Sequence, residues 1–399
     1  MRIKLLGILV ASFVAAGCAT QRGLEATGAD NLEQAFAAEI QKKKIPGAVL
    51  LVARDGKMVY EKALGVQDPV TGAPMRTDSI FRIYSMTKPI VSVAAMQLVQ
   101  EGRIRLDDPV SRYIPELKGL SVGTEKDGKL EIAPAQREIT IRDLLRHTSG
   151  FTYGVFGKGM VKSLYGQHGV DSSDITNAEL VQRLAKVPLM YQPGTVWEYG
   201  RSTDVLGHLI ERVTGQPLDQ VLEARIFKPL KMTDTGFWVP LAKLDRVAEA
   251  FEKDPDGGTT FPPLQVRYKP IYLAGGQGLV STAHDYLRFA QMLLNGGELD
   301  GVGILSEESV DEMTRNQLGT IKAPFQAYGF GLGFAVRLTD EGGSAPGRAG
   351  EYNWSGYGGT AFWVDPKEGL IAILMTQAPN QRNYTRILFR KQVYGALAN

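Results

Sequence analysis

The chain has 399 residues, 44% hydrophobic and 22% charged, with 45 Lys and Arg against 43 Asp and Glu. That is a globular composition, with a core large enough for two structural lobes. The near-neutral balance argues against a nucleic-acid partner and against a polybasic membrane patch.

At the N-terminus, MRIKLLGILVASFVAAGCAT sets Arg2 and Lys4 before an apolar run from Leu5 to Ala16, followed by small residues. The run is too short to span a bilayer and fits a secretory signal peptide over residues 1–18. Arg2 and Lys4 are the whole basic excess: without them 43 basic residues face 43 acidic ones. Cys18 is the one cysteine, so stability must come from the core and not from a disulfide. Residues 19–30 read as a linker.

In NLEQAFAAEIQKKK (31–44), Leu32, Phe36 and Ile40 recur every four residues, which predicts a helix. GAVLLVARDGKMVYEKALGV (47–66) is two apolar runs about Asp55-Gly56, a hairpin signal. Next, YSMTKPI (84–90) leads into IVSVAAMQLVQEG, which is apolar nearly all round. It reads as a buried helix stopped by Gly102. Pro89 is tolerated only in a first turn, so that helix begins at about Ser85. TIRDLLRHTSG (140–150) and TNAELVQRLAKVP (176–188) open with Thr140/Asp143 and Thr176/Glu179, at or close to capping-box spacing. STDVLGHLIERVTG (202–215) and STAHDYLRFAQMLLNGG (281–297) are further helices. The Gly-rich stretches 150–174, 252–270 and 338–352 read as loops. TAFWVDPKEGLIAILMTQA (360–378) is a second hairpin, and NYTRILFRKQVYGALA (383–398) is a closing helix. The predicted fold is α/β: one antiparallel sheet formed by both chain ends and flanked by helices, with a mainly helical lobe inserted. The α/β lobe takes about residues 31–84 and 273–399, and the helical lobe about 85–272.

Ser85 and Lys88 lie three apart, on one face of their helix and at its N-terminus, where the macrodipole is positive. A serine hydroxyl is a weak nucleophile until a base takes its proton. Lys88 would serve if its pKa fell toward neutrality, and burial and positive charge both push it that way. A tyrosine phenol whose anion a lysine stabilises can be the second acid–base group. Tyr199, after the Pro193-Gly194 turn and just before a helix, is the candidate. Trp354-Ser355-Gly356-Tyr357 is a small-residue break opening the second hairpin, where glycine permits close approach of a ligand. GLSVG (119–123) offers a competing nucleophile, Ser121, in a Gly-x-Ser-x-Gly pattern. That elbow needs a buried strand before it and a helix after it. Here YIPELK precedes and TEKDGK, read as a charged loop, follows, so Ser121 is set aside. His147, His168, His208 and His284 show no metal-ligand spacing; His147 and His208 fall within predicted helices. No metal or cofactor is expected.

These stretches together resemble the serine β-lactamase and penicillin-binding-protein superfamily on its class C side, and are most similar to the family VIII carboxylesterases. FRIYSMTKPI resembles the Ser-x-x-Lys motif, YGR (199–201) the Tyr-x-Asn motif and WSG (354–356) the Lys-Thr-Gly motif. LLRHTSG (144–150) and AGGQGLVSTAHDYLRFAQMLLNGG (274–297) are also typical. The likeness spans residues 31–397. It implies a β-lactamase/transpeptidase-like fold, Ser85 as nucleophile, Lys88 and Tyr199 as general base and acid, and substrate contacts at Trp354, Ser355, Gly356 and Tyr357. It also implies an oxyanion hole from the N–H groups of Ser85 and Tyr357. AAGC resembles a lipoprotein lipobox, which implies lipidation of Cys18; cleavage without lipidation is the alternative. Two departures bear on substrate. Trp354 replaces the lysine that holds a β-lactam or peptide carboxylate, and Arg201 stands where an asparagine contacts an amide side chain.

The reading is an exported serine carboxylesterase that cleaves neutral, short-chain acyl esters through a Ser85 acyl-enzyme. It would sit in the periplasm or be anchored to the membrane, the outer one in the lipoprotein case, through Cys18. One rival is a β-lactamase or D-amino-acid peptidase. A rival of another class is a non-catalytic cell-envelope binding lipoprotein, against which the intact Ser85, Lys88 and Tyr199 argue.

Overall fold

The two predicted hairpins form, and they pair with each other. In the computed structural model, which describes residues 23–257, 263–323 and 325–397, strand Gly47–Arg54 turns into strand Lys57–Asp68. Asp55 and Gly56 take φ of 51° and 75°, the left-handed pair that a tight two-residue hairpin turn needs. Ala361–Asp365 and Leu370–Thr376 form the second hairpin. Gly47–Arg54 lies antiparallel beside Leu370–Thr376, with Leu50 opposite Leu374 and Val52 opposite Ala372. Among the described residues the sheet has eight strands. Their order is Tyr328–Phe330, Ala335–Arg337, Tyr352–Ser355, Ala361–Asp365, Leu370–Thr376, Gly47–Arg54, Lys57–Asp68 and Ala73–Pro74. The signal-peptide stretch and Cys18 lie outside the described residues.

Successive strand residues point to opposite faces, and both faces of this sheet are covered. Val49, Leu51, Ile371, Ile373 and Met375 join the large core shared with the helices of the inserted segment. Ala48, Leu50, Val52, Ala372 and Leu374 join a second core under helices Ala26–Gln41 and Arg382–Gly395. There Phe36 meets Phe389 edge to face at 6.0 Å. Burial on two sides is why the central strands read as unbroken apolar runs and do not alternate.

The helix after Ser85 is buried without a gap from Thr87 to Leu98. Its start differs slightly from the expectation. Tyr84–Met86 is a 3₁₀ turn and the α-helix begins at Thr87, which still leaves Pro89 in the first turn. Tyr84 has φ 44°, a left-handed conformation that is unfavourable for a bulky side chain. Its ring is buried and packs edge to face on Tyr357 at 5.7 Å.

Both capping boxes form, at Thr140/Asp143 and Thr176/Glu179. Other readings change. Residues 150–174 contain a helix, Met160–Gln167, that buries only Val161 and Tyr165 and so shows little periodicity. TEKDGK is not a loop but the tip of a hairpin, Ser121–Lys126 with Lys129–Pro134. Its outer half is exposed on both faces, so no apolar alternation marks it. His147 lies beyond its helix, Ile141–Leu145, at φ 58°. His208 is inside helix Ser202–Thr214.

Candidate active site

The 3₁₀ turn carries Ser85, the first turn of the buried helix carries Lys88, and the segment leading into helix Ser202–Thr214 carries Tyr199. Tyr199 Oη donates to Ser85 Oγ at 2.7 Å, and Lys88 Nζ donates to the same oxygen at 3.3 Å. Lys88 Nζ also donates to the Gly276 carbonyl at 2.7 Å and to Tyr153 Oη at 3.2 Å. Three donors thus meet three acceptors.

Lys88 is 1% exposed, and a buried ammonium is costly unless charge nearby offsets it. Asp204, itself fully buried, is that charge. Its Oδ1 accepts from the Gly276 N–H at 3.0 Å and from Tyr272 Oη at 2.7 Å. This corrects the expected pKa of Lys88. Burial does push it down, but the phenols of Tyr153 and Tyr199 and the carboxylate of Asp204 outweigh burial and raise it above the ordinary lysine value. Lys88 is therefore an ammonium at neutral pH. Burial and the helix dipole act locally, whereas Asp204 lies 116 positions from Lys88 and reaches it only in the folded chain.

Tyr199 is held in a cage of rings. It stacks on Trp197 at 5.9 Å, with Tyr153, His147 and Trp354 at 5.4, 5.1 and 5.6 Å. Lys88 Nζ sits over its face, 4.4 Å from the centroid, close enough for a cation–π contact. His147 is a buried wall of this cage. Burial, then the charge of Lys88, holds its pKa well below the usual imidazole range, so the ring is neutral.

Strand Tyr352–Ser355 alternates between buried and half-buried residues. Trp354 turns toward Tyr199, with Phe330 at 5.3 Å and Phe325 at 6.3 Å. Its indole N–H has no hydrogen-bond partner among the described residues. Ser355 turns the other way, and its Oγ accepts from Arg386 at 2.8 Å. A Cβ on Gly356 would lie 2.4 Å from the Ile83 carbonyl, so glycine lets this strand approach the turn that carries Ser85. Tyr357 packs against Tyr84, with Arg382 over its ring at 5.0 Å. Trp354 to Tyr357, Ser85 and Tyr199 line one cavity of about 1360 Å³. Arg201 borders it too, with its guanidinium held by Asp171 at 2.8 Å and over the Tyr153 ring at 5.0 Å. Ser121 sits in its hairpin strand and does not line the cavity.

Sequence reasoning missed Tyr153, Asp204 and Gly276. Asp204 lies in the stretch read for Tyr199, but an acidic residue in a helix's first turn needs no other explanation. Gly276 acts through its carbonyl, which every residue has. Its own signal is the missing side chain, because a Cβ there would lie 2.7 Å from Asp204 Oδ2.

An antiparallel sheet covered by helices, with a serine, a lysine and a tyrosine joined by hydrogen bonds beside one cavity, defines a serine hydrolase of the β-lactamase/transpeptidase type. The profile of the Beta-lactamase family matches residues 30–393, and the chain belongs to that family. Esterase EstB of Burkholderia gladioli is 33% identical over 369 residues, covering 87% of this chain and 90% of its own. An uncharacterised protein of Mycobacterium tuberculosis is 38% identical over 350 residues, 84% of this chain and 86% of its own. Among solved structures, EstCE1, described as a hydrolase with promiscuous acyltransferase activity, superposes with a TM-score of 0.78 at 27% identity, over 92% of this chain and 99% of that one. The chain is an esterase-like serine hydrolase of this family.

Proposed function

We propose that the protein is an exported carboxylesterase whose acyl-enzyme forms on Ser85. The observation that carries this is the 2.7 Å bond between Tyr199 Oη and Ser85 Oγ, with Lys88 Nζ 3.3 Å from the same oxygen. Lys88 orients Ser85 through its own hydrogen bond and lies over the Tyr199 ring, so the two groups act as one acid–base pair. In the form that is one proton short, that pair takes the Ser85 proton as Oγ attacks the ester carbonyl. The bond to the alkoxy oxygen then breaks, and Tyr199 returns the proton to the departing alcohol. Water repeats the sequence on the acyl-enzyme and releases the acid. The N-terminal end of the buried helix supplies backbone N–H to the oxyanion.

Ester chemistry is supported by the likeness to EstB and EstCE1. The aromatic wall around Trp354, where the family's peptide-handling members have a lysine, supports a neutral, short acyl group on that side. Export and anchoring at Cys18 rest on residues 1–18 alone.

The test is turnover of p-nitrophenyl butyrate together with fluorophosphonate labelling. Ser85→Ala abolishes both, and Ser121→Ala leaves both near wild type. Faster turnover of nitrocefin than of the ester would overturn the esterase reading in favour of a β-lactamase. For location, wild type and Cys18→Ser are fractionated after feeding a fatty-acid analogue. Wild-type protein that is wholly soluble and unlabelled would refute the anchor.

A further inference from the structure

Among the described residues, eleven large hydrophobic side chains are exposed, and five of them border the active-site cavity: Val155, Phe156, Tyr268, Ile271 and Phe325. A side chain that meets solvent and also borders a cavity stands at its mouth. The five come from three loops far apart in sequence, and none lies in a helix or strand. Tyr268 and Ile271 are 63% and 62% exposed, so most of their apolar area is left in water, at a cost that burial would remove. Single exposed hydrophobic residues are ordinary, but a cluster gathered from three loops at one opening marks a contact surface.

The charge around these residues has one sign. Lys158 follows Phe156, Arg267 and Lys269 flank Tyr268, and Lys322 precedes Phe325. All four bases are exposed, and the stretches 151–159, 263–272 and 319–327 contain no Asp or Glu. Arg267 pairs with Glu249 at 3.2 Å and Lys269 with Asp219 at 2.5 Å. Lys158 and Lys322 pair with no carboxylate among the described residues. Two acidic residues border the cavity, and one of them, Asp171, is held by Arg201. Apolar tips interleaved with long cationic stems fit an anionic lipid–water interface. The tips enter the acyl boundary while the stems reach the headgroup phosphates.

We propose that the mouth of the active-site cavity docks on an anionic lipid surface, so that ester substrates enter it from the lipid layer. The docking itself does not depend on turnover; the clause on substrates rests on the esterase reading. A second copy of the chain fits the mouth less well, because a self-complementary contact sets the same patch against itself and would face these bases with bases. A lipid headgroup layer supplies the phosphates that the loops lack as carboxylates, and its acyl layer removes the exposed rings from water.

The test uses the full chain with Cys18→Ser and Ser85→Ala. Cys18 is the one cysteine, so a bimane label goes to a single chosen site. Phe156→Cys and Ile271→Cys place it at the mouth. Met58→Cys places it on strand Lys57–Asp68, at an exposed residue that does not border the cavity. The probe is vesicles of equimolar phosphatidylcholine and phosphatidylglycerol with brominated acyl chains. Both mouth labels are quenched and the Met58 label is not. Lys158→Gln with Lys322→Gln raises the lipid concentration at half-quenching by about 25-fold, roughly fivefold per base. Mouth labels that stay unquenched overturn the proposal. Equal quenching at Met58 overturns it in favour of general adsorption, and an unchanged half-quenching concentration in the double lysine variant overturns it too. A dimer that sediments without lipid and is lost in Phe156→Ser, with the mouth labels unquenched, assigns the surface to a second copy and overturns it. Quenched mouth labels in a protein whose wild type cleaves no ester leave the docking surface standing and the esterase reading refuted. Ester turnover with unquenched labels gives the reverse.

Discussion

Tyr199→Phe removes one oxygen and leaves a ring of the same shape in the same cage. The ring keeps its contacts with Trp197, His147, Tyr153 and Trp354, so the fold loses only the hydrogen bond to Ser85. Such a bond contributes about 1 kcal/mol net, a shift in thermal midpoint of no more than roughly 4 °C for a chain of this size. Catalysis loses far more, because the phenol is the only uncharged proton carrier bonded to Ser85 Oγ among the described residues. A missing acid–base group costs about 10²-fold or more in kcat, at least about 2.7 kcal/mol of barrier, while KM stays nearly the same because ground-state contacts survive. Lys88→Met is the contrasting variant. It leaves the Gly276 carbonyl unpaired and removes one of two cations near the buried Asp204 carboxylate, Arg201 remaining 3.8 Å away, so it loses about 1–3 kcal/mol of stability along with activity. The double variant is no slower than the worse single one, since the two groups act as a unit. The assays are p-nitrophenyl butyrate kinetics and thermal melts followed by circular dichroism. Wild-type kcat in a folded Tyr199→Phe would show that Tyr199 is not the proton acceptor, and that Lys88 must fill that role despite its raised pKa.

Further expectations follow from other parts of the site and fold. Gly356→Ala drives a Cβ toward the Ile83 carbonyl and Thr360 Oγ1, each 2.4 Å away. It should lower the melting temperature by an overpacking cost of about 1–3 kcal/mol and slow ester turnover; a fully active, equally stable variant would contradict the close approach. Asp143 is fully buried between Arg137 at 2.6 Å and Arg146 at 3.1 Å. Burial alone would raise its pKa, but Arg137, the Thr140 N–H and Thr148 outweigh that and lower it. A carboxyl depressed in the folded state adds stability above its unfolded pKa of about 3.9 and loses it as pH falls through the lower folded value. Asp143→Asn should therefore cost about 3 kcal/mol at pH 7, the low end for a broken buried pair because the Arg137 side chain is 42% exposed. It should also flatten the acid limb of the stability curve below about pH 4; an acid limb as steep as wild type would refute this. Trp354→Ala should lower kcat/KM for p-nitrophenyl butyrate more than for the acetate, and equal losses would show that the indole does not line the acyl side of the cavity.

The fold was legible where local chemistry and burial agree. Asp55-Gly56 and the apolar runs beside it gave the first hairpin, and the Thr140 and Thr176 capping boxes gave helix starts that formed as read. Pro89 located the start of the buried helix to within two residues. What escaped was structure without periodicity, such as Met160–Gln167 and the exposed hairpin that contains Ser121. Within the candidate site, the side chains that make up motifs were legible, because Ser85 and Lys88 share one local element. The groups that set their charge were not. Asp204 and Tyr153 reach Lys88 only through tertiary packing, and the Gly276 carbonyl has no side-chain signature.

The central strand pair also decides when this protein can become a protein. Thr376 Oγ1 donates to the Gly47 carbonyl across 329 positions of sequence, and Leu370–Thr376 supplies the whole neighbouring edge of Gly47–Arg54. Until that distant strand docks, the first hairpin has an apolar edge unpaired, an arrangement that slows folding and invites aggregation. Gly356 and Tyr357, which close around the Ser85 turn, arrive on the same late part of the chain. A chain that lacks them carries its serine, lysine and tyrosine motifs complete in sequence and has no site, so activity requires this later segment as well as the motifs.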